Sequence, residues 1–356
     1  MSRARELAEI ATAYDSGSPF GFRNRIINGQ MVIDQRNAGA SVTANDNIFG
    51  ADRWKYTMVA SSKGTTQQST TAPAGFSTSL LFTSSAATSV GSSDYYWVDT
   101  RIEGNNLSDM GFGTAAASSF TMSFWVRSSL TGTFGGSFEN SASNRSYPFS
   151  YTISAANTWE QKTVTVAGDT SGTWLTNNGV GLRVIFSLGV GSTRQGTANA
   201  WASADYQSPS GCVNVVGTSG ATFYITGVQL EKGSTATSFD YRLYGTELVL
   251  CERYYQKITG VTCGTGTSGS DCGASVMFKT EMRAGPSVGL TAPFSITRFN
   301  IADFTQSSAS VAIGSGGTRV TATGVSLNFS NFTSLPSDTA LPSIVTGGAI
   351  TLSSEL

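Results

Sequence analysis

Beyond residue 24 the apolar residues recur with a period of two, and this limits the fold more than any other feature of the chain. In SFTMSFWVRSS (residues 119–129), Phe120, Met122, Phe124 and Val126 fall on one face, with Trp125 and Arg127 on the other. That alternation marks a half-buried strand. YTISAANTWEQKTVTVAG (151–168), GLRVIFSLGVG (181–191) and GATFYITGVQLEKG (220–233) repeat it between Gly, Ser and Asn boundaries. RIINGQMVIDQR reads as strand, turn at Asn28-Gly29, and strand. No intervening segment offers a helical stripe of about 10–15 residues, which excludes a parallel α/β sheet. Short strands separated by polar turns predict an all-β protein, a sandwich or jelly roll.

Composition narrows the chemistry. The chain has no histidine, so imidazole cannot serve as base, nucleophile partner or metal ligand. Lys and Arg number 22 against 23 Asp and Glu, for a net charge of -1 without a basic cluster; a nucleic-acid partner is therefore not expected. No apolar run approaches the ~18 residues of a membrane span, so membrane insertion is not expected. MSRARELAEI lacks the apolar core of a signal peptide, which predicts a cytosolic protein or one that leaves the cell by lysis or some non-classical route. Charged residues make up 13% and hydrophobic ones 39%, beside 40 Gly, 51 Ser and 45 Thr. These proportions describe a folded, neutral protein with a hydroxyl-rich surface.

The N-terminus carries the one good helical signal. In SRARELAEIATAYD, Ser2 can cap, and Leu7, Ile10, Ala11 and Tyr14 form a stripe opposite Arg3, Glu6 and Glu9. Three turns do not hold alone. The segment is either a frayed end or a peptide docked on another protein or on sister subunits, with SGSPFG as its linker. All six tryptophans (Trp54, Trp97, Trp125, Trp159, Trp174 and Trp201) precede residue 202, and the texture changes near Glu247. LVLCERYYQKITG predicts a strand or short helix, TCGTGTSGSDCG a long hairpin loop, and the remainder a smaller β-sandwich. The domain division is then 1–23 helix and linker, 24–245 β-sandwich, and 246–356 C-terminal β-sandwich.

These segments also carry a resemblance. NRIINGQMVIDQRNAG, ADRWKY, FTMSFWVRSSLTGTF, WEQKTVTVAGDTSGTW, GLRVIFSLGVGS and the run from Tyr224 through Tyr255 (YITGVQLE, F-x-x-R-x-Y-G-x-E-L, C-x-R-Y-Y) resemble bacteriophage virion proteins of the tail-fibre and appendage type. MSRARELAEIATAYDSG looks like the N-terminal peptide of such proteins in podoviruses, particularly those of cyanobacteria. Residues 24–245 are also similar to the jelly-roll carbohydrate-binding modules that accompany glycoside hydrolases. Where those modules often carry calcium-holding aspartates this chain has Thr226-Gly227, a departure that speaks against a structural calcium. The resemblance implies a homotrimeric virion protein on the particle exterior, attached through its N-terminus to tail, portal-proximal or capsid proteins. It leaves open a tail appendage that contacts host-surface polysaccharide, or a capsid fibre or decoration without a receptor.

Candidate residues follow from chemistry. Sugars stack on aromatic faces while amides read their hydroxyls, and loops on a rigid sandwich are where binding residues sit. Trp174, Trp201 and Tyr206 are the stacking candidates, Gln195 and Asn199 the hydroxyl readers, with Asn177 and Asn178 nearby. A Trp in such a loop also serves as the pin that holds the loop to the body. Leu7, Ile10 and Tyr14 are the attachment candidates. Trp54 is expected in the core, and Trp125 on the opposite sheet face, in a subunit interface or against a glycan. Asp52 and Arg53 are read as strand-entry residues, with Asp34 and Arg36 at strand ends. Glycosidic cleavage needs two facing acids; Glu160, Asp169, Asp205, Asp240 and Glu247 stand isolated in sequence, so a polysaccharide-processing enzyme is the weakest alternative and no catalytic residue is assigned. Cys212, Cys251, Cys263 and Cys272 lack close zinc-type spacing. Free buried thiols, or a Cys263–Cys272 bridge closing the loop, are the readings, with no metal and no cofactor expected.

Overall fold

The computed structural model describes residues 22–259, 261–268, 271–291, 294–298, 305–308, 312–313, 319–330, 343–346 and 349–356. The N-terminal stripe of Leu7, Ile10 and Tyr14 lies outside these residues. The chain divides into two compact units, the first ending at Glu247 and the second beginning at Leu248.

Two six-stranded antiparallel sheets build the first unit. One holds β1 (Val42–Thr43), β4 (Gly64–Ser69), β5 (Ser79–Ser84), β7 (Phe120–Ser128), β10 (Glu160–Val166) and β14 (Thr222–Lys232), in the order β1-β4-β5-β14-β7-β10. The other holds β2 (Ile48–Ala51), β3 (Trp54–Met58), β6 (Tyr95–Glu103), β8 (Gly132–Glu139), β9 (Ser146–Ile153) and β11 (Val180–Val190), in the order β2-β3-β6-β11-β8-β9. A two-stranded parallel ladder of β12 (Gln195–Gly196) and β13 (Ser208–Pro209) lies in the connection after β11.

Aromatic rings join the sheets. Phe124 of β7 meets Phe186 of β11 at 5.1 Å and 74°, and Phe120 meets Phe138 of β8 at 5.0 Å and 89°. Tyr56 of β3 stacks on Phe82 of β5 at 5.8 Å. Edge-to-face and offset pairs suit the ring quadrupole and add about 0.5–1.5 kcal/mol each beyond area burial. The strand phase follows the sequence: Phe120, Met122, Phe124 and Val126 are fully buried, and Trp125 and Arg127 are half-buried on the outer face. Trp54 is fully buried, with its indole N–H donating to the Asn28 carbonyl at 3.0 Å.

The opening segment departs from the strand-turn-strand expectation. Residues 23–34 form turns and extended chain outside any ladder. Asn28 adopts a left-handed φ of 57°, and its side chain replaces a partner strand: Oδ1 accepts from Ile33 N at 3.0 Å, and Nδ2 donates to the Ile33 and Asp52 carbonyls at 2.8 Å. Asn tolerates this conformation and bonds its own neighbouring backbone. Asp52 and Arg53 are strand-entry residues. The Asp52 carboxylate accepts from Arg36 Nη1 at 3.1 Å and from Gln35, and Arg53 Nη2 donates to the Arg101 carbonyl at 2.6 Å.

LVLCERYYQKITG resolves into the end of a helix, α1 (Tyr244–Glu252), followed by strand Tyr255–Ile258. In the second unit the Tyr255–Ile258 strand pairs with Ala349–Ser353, which pairs with Ser287–Thr291. The Gly/Ser-rich segment expected as a loop is largely ladder: Val261–Ser268 pairs antiparallel with Asp271–Met277. Small residues at this hairpin do not prevent pairing, since the ladder is made by backbone groups. Cys251 is fully buried, and Cys212 is a half-buried free thiol. The side chains of Cys263 and Cys272 lie outside the described residues.

Candidate functional site

The loop tryptophans meet at one corner of the first unit. Trp174, between β10 and β11, and Trp201, between β12 and β13, lie 5.6 Å apart at 84°. Phe112 flanks Trp174 at 5.1 Å, and Tyr147 flanks Trp201 at 5.1 Å. Both indole N–H groups are committed: Trp174 to the Ser171 carbonyl at 3.0 Å, Trp201 to the Ala167 carbonyl at 2.8 Å. Trp174 is 9% exposed, whereas Trp201 is half-buried. Arg145 fastens the corner, with a bidentate grip on Asp169 at 2.7 and 2.6 Å and a third bond to Ser203 Oγ at 2.8 Å. The planar guanidinium fork matches a carboxylate in this way.

The other loop candidates lie along the same connection. Gln195 directs its amide N–H to the Val190 carbonyl at 2.8 Å. Asn199 is exposed at φ 59°, with its backbone N–H on the Pro148 carbonyl at 2.7 Å. The half-buried Tyr206 ring packs over Gly196 so closely that a Cβ there would meet Tyr206 Cγ at 2.8 Å. The structure thus brings Trp174 and Trp201 together and places Gln195 on β12, with Tyr206 in the segment before β13 packing over Gly196. Asn177 Oδ1 accepts from Gly179 N at 2.9 Å within its own turn.

Each of the five carboxylates singled out in the sequence has local partners. Asp169 holds Arg145, and Asp205 pairs with Arg194 at 2.8 Å. Asp240 accepts from Arg23 N at 3.0 Å and Asn24 N at 3.3 Å. Glu247 pairs with Arg242 at 3.3 Å and accepts from Asn28 N. Glu160 accepts from Ser154 N at 2.8 Å, Ala155 N at 3.0 Å and Lys162 Nζ at 2.6 Å. Slight burial pushes its carboxyl up, but these donors outweigh it and hold it below the ordinary range.

Sequence reasoning missed a charged network on the second sheet's outer face. Asp99 of β6, fully buried, accepts from Thr57 Oγ1 at 3.0 Å, Trp97 Nε1 at 3.1 Å and Arg101 Nε at 3.0 Å. Burial pushes this carboxyl up, yet the Arg101, Arg183 and Lys55 cations outweigh burial and keep it below its usual range. Glu139 of β8, also fully buried, accepts from Arg183 Nη1 at 3.0 Å and Gln207 Nε2 at 2.9 Å. The Gln207 amide bonds Asp205 as well. Here burial dominates, with Asp205 adding repulsion, and the Glu139 carboxyl is pushed up to about 7. The alternation of YYWVDTRIE signals outward placement of Trp97, Asp99 and Arg101, but nothing local reveals Glu139 and Gln207 as partners.

The first sheet's outer face carries a different surface. Register places Gln67 opposite Leu81, Leu81 opposite Tyr224, and Tyr224 opposite Arg127. In another row Trp125 stands between Thr226 and Gln161. The Arg127 guanidinium covers the Tyr224 ring at 4.9 Å while its Nε donates to the Asn157 carbonyl at 2.8 Å. Trp159 meets Tyr224 edge-on at 6.0 Å. Trp125, Trp159 and Tyr224 are all half-buried, and Gln161 and Thr163 are exposed. The β14 register shifts between Thr226 and Gln229, and Gly227 there has φ 59°. A side chain at Gly227 would strike Phe76 Cζ at 2.6 Å and crowd Trp125 Cδ1 at 3.1 Å. Gly227 is thus required by the bulge and the ring packing at the place where the resembling modules often carry an aspartate. Among the described residues no three His, Cys, Asp or Glu side chains gather into a metal-holding group.

No protein-family model matches the sequence, and neither does any curated protein. Among solved structures, the chain is similar to the enzymatically active domain of tailspike protein 4 of bacteriophage CBA120, at 12% identity and a TM-score of 0.34. That match covers 59% of this chain and 21% of the tailspike chain. It is similar to TmCBM61 solved with β-1,4-galactotriose, at 8% identity, a TM-score of 0.31, and coverage of 60% of this chain and 100% of that one. The family 11 carbohydrate-binding module of cellulase Lic26A-Cel5E of Clostridium thermocellum matches at 10% identity and a TM-score of 0.28, covering 56% of this chain and 99% of the module. Each is a similarity at low identity and at a broad level, to a phage tailspike domain and to carbohydrate-binding modules.

Proposed function

We propose that this chain is a non-catalytic, glycan-contacting module on the exterior of a phage particle, a jelly roll carried as a homotrimer by a tail appendage. The observation that carries the sugar-contact reading is the outer face of the first sheet. Trp125, Tyr224 and Trp159 present partly open rings beside Gln67, Gln161 and Thr163, with Arg127 over Tyr224. Flat apolar rings suit the C–H face of a pyranose, and side-chain amides and hydroxyls both donate to and accept from its hydroxyls. The Trp201 corner, with Trp174, Tyr206, Gln195 and Asn199, is the second proposed contact. Its indoles are pinned to backbone carbonyls, and Trp201 is the more open of the two. Attachment through Leu7, Ile10 and Tyr14 completes the reading.

The test is retention of the intact protein on host-envelope polysaccharide, by affinity electrophoresis, alongside thermal melts. Trp125→Ala and Tyr224→Ala are expected to weaken retention at least tenfold with melting preserved. Loss of retention in Trp201→Ala alone moves the contact to the corner. Absence of retention by the wild-type chain refutes glycan contact and leaves the module as architecture, the role of a capsid fibre or decoration.

A further inference from the structure

The segment that closes the first unit turns its charges inward and its apolar side chains outward. Arg242 and Glu247 pair at 3.3 Å with side chains only 4% and 6% exposed. Arg242 also donates to the Ile26 carbonyl at 3.0 Å and to the Asn24 carbonyl. Asp240 is occupied by the Arg23 and Asn24 backbone N–H groups. Between and beside these inward groups stand Tyr241 at 56% exposure, Leu243 at 81% and Tyr244 at 63%. Phe22, 55% exposed, lies with its ring 4.8 Å from the Arg242 guanidinium. Among the described residues eight large apolar side chains are exposed, and these four are half of them.

The patch is continuous with a packed aromatic group. Tyr241 meets Phe76 at 5.6 Å and Phe239 at 5.0 Å, and Phe76 meets Phe239 at 5.1 Å. The Tyr241 hydroxyl donates to the Gly75 carbonyl at 3.0 Å, so its polar tip is satisfied within the chain. A surface of Phe, Tyr and Leu with its ionised groups paired beneath it has the composition of an interface core, where charged residues are depleted and aromatics enriched.

We infer that this patch, formed by Phe22, Tyr241, Leu243 and Tyr244, packs against the same region of sister copies of this chain about the threefold axis of the assembly. The charge pattern selects that occupant. The four exposed side chains of the patch carry no ion to steer or anchor an oppositely charged partner, such as a nucleic acid, an acidic lipid surface or a charged peptide. An identical patch meets it without leaving an ion buried and unpaired. The net charge of -1 on 356 residues leaves copies with little mutual repulsion on approach. Closed assemblies of identical chains are the common outcome when a surface is complementary to its own copy.

This inference rests on the oligomeric part of the proposed function and names the face that part requires. The test is sedimentation equilibrium of the full chain from about 1 to 100 µM, on wild type, Leu243→Asp, Tyr244→Ser and the control Val59→Asp, whose site is exposed elsewhere in the same unit at 45%. Wild type and the control are expected at a multiple of 37.2 kDa. Leu243→Asp and Tyr244→Ser are expected to dissociate at least tenfold more readily, with unchanged melting of the monomer, since neither side chain is buried within the chain. An oligomeric wild type whose mass both variants keep overturns this face and spares the oligomer. A monomeric wild type at 100 µM overturns both, and leaves the glycan test of Trp125 standing by itself.

Discussion

Replacing Glu139 with Gln isolates the proton linkage of a single buried carboxyl. Burial raises the folded-state value of this group from 4.5 to about 7, against the opposing Arg183 and Gln207 contacts. The folded protein therefore binds this proton more tightly than the unfolded chain does. Its stabilising effect is full below about pH 4.5 and is lost progressively as pH rises through 7. At 1.36 kcal/mol per pKa unit, the difference amounts to about 3 kcal/mol between pH 4.5 and pH 8. Asp99 has the opposite sign: its carboxyl is held below 3.8 in the fold, so its contribution is lost only as pH falls below that value. The two windows do not overlap.

The assay is urea unfolding at half-unit pH steps from 4.5 to 8, followed by tryptophan fluorescence. All six tryptophans lie in the first unit, so the signal reports the sandwich that contains Glu139. Wild-type stability is expected to fall by about 3 kcal/mol across this range, and the Glu139→Gln curve is expected to lose most of that slope. Loss of the Arg183 partner displaces the variant curve by an offset that does not depend on pH, so slope and offset separate. A variant that keeps the wild-type slope, or a wild type that grows more stable from pH 5 to 7.5, refutes the assignment of this linkage to Glu139.

Two further substitutions probe the candidate surfaces. Arg145→Ala leaves Asp169, 2% exposed, as a buried unpaired carboxylate, and is expected to cost about 3 kcal/mol in urea unfolding and to loosen the Trp201 corner, read as a change in its fluorescence. Gly227→Ala places a Cβ at φ 59° against Phe76, and is expected to lower stability by at least ~1 kcal/mol in the same assay; an unchanged midpoint would show that the β14 bulge relaxes freely.

Within single strands the sequence was sufficient. The alternation of FTMSFWVRS already separates Phe120, Met122, Phe124 and Val126 from Trp125 and Arg127, because successive side chains of any strand point to opposite faces. The same local rule holds in β6, where Trp97, Asp99 and Arg101 share one side, although the sequence alone did not single them out. It failed at RIINGQMVIDQR, where apolar alternation suggests two paired strands but Asn28 turns the chain and bonds it with its own side chain. It also left α1 undecided between helix and strand, since LVLCERYY is apolar at either period.

Partnerships were decided only by the tertiary structure. Gln207 reaches Glu139 across 68 positions, and Arg145 reaches Asp169 and Ser203 from a different strand connection. Whether Trp174 and Trp201 stood open to a ligand or pinned to a loop depended on carbonyls at Ser171 and Ala167, which any sequence supplies at every residue. The inward Arg242–Glu247 pair, and the exposure of Leu243 and Tyr244 that accompanies it, depended on Asn24, Ile26 and Asn28 arriving from the far end of the unit. Side-chain phase is a property of consecutive residues, whereas burial and pairing belong to whichever distant segments the sheet order brings together, and local periodicity carries no record of that order.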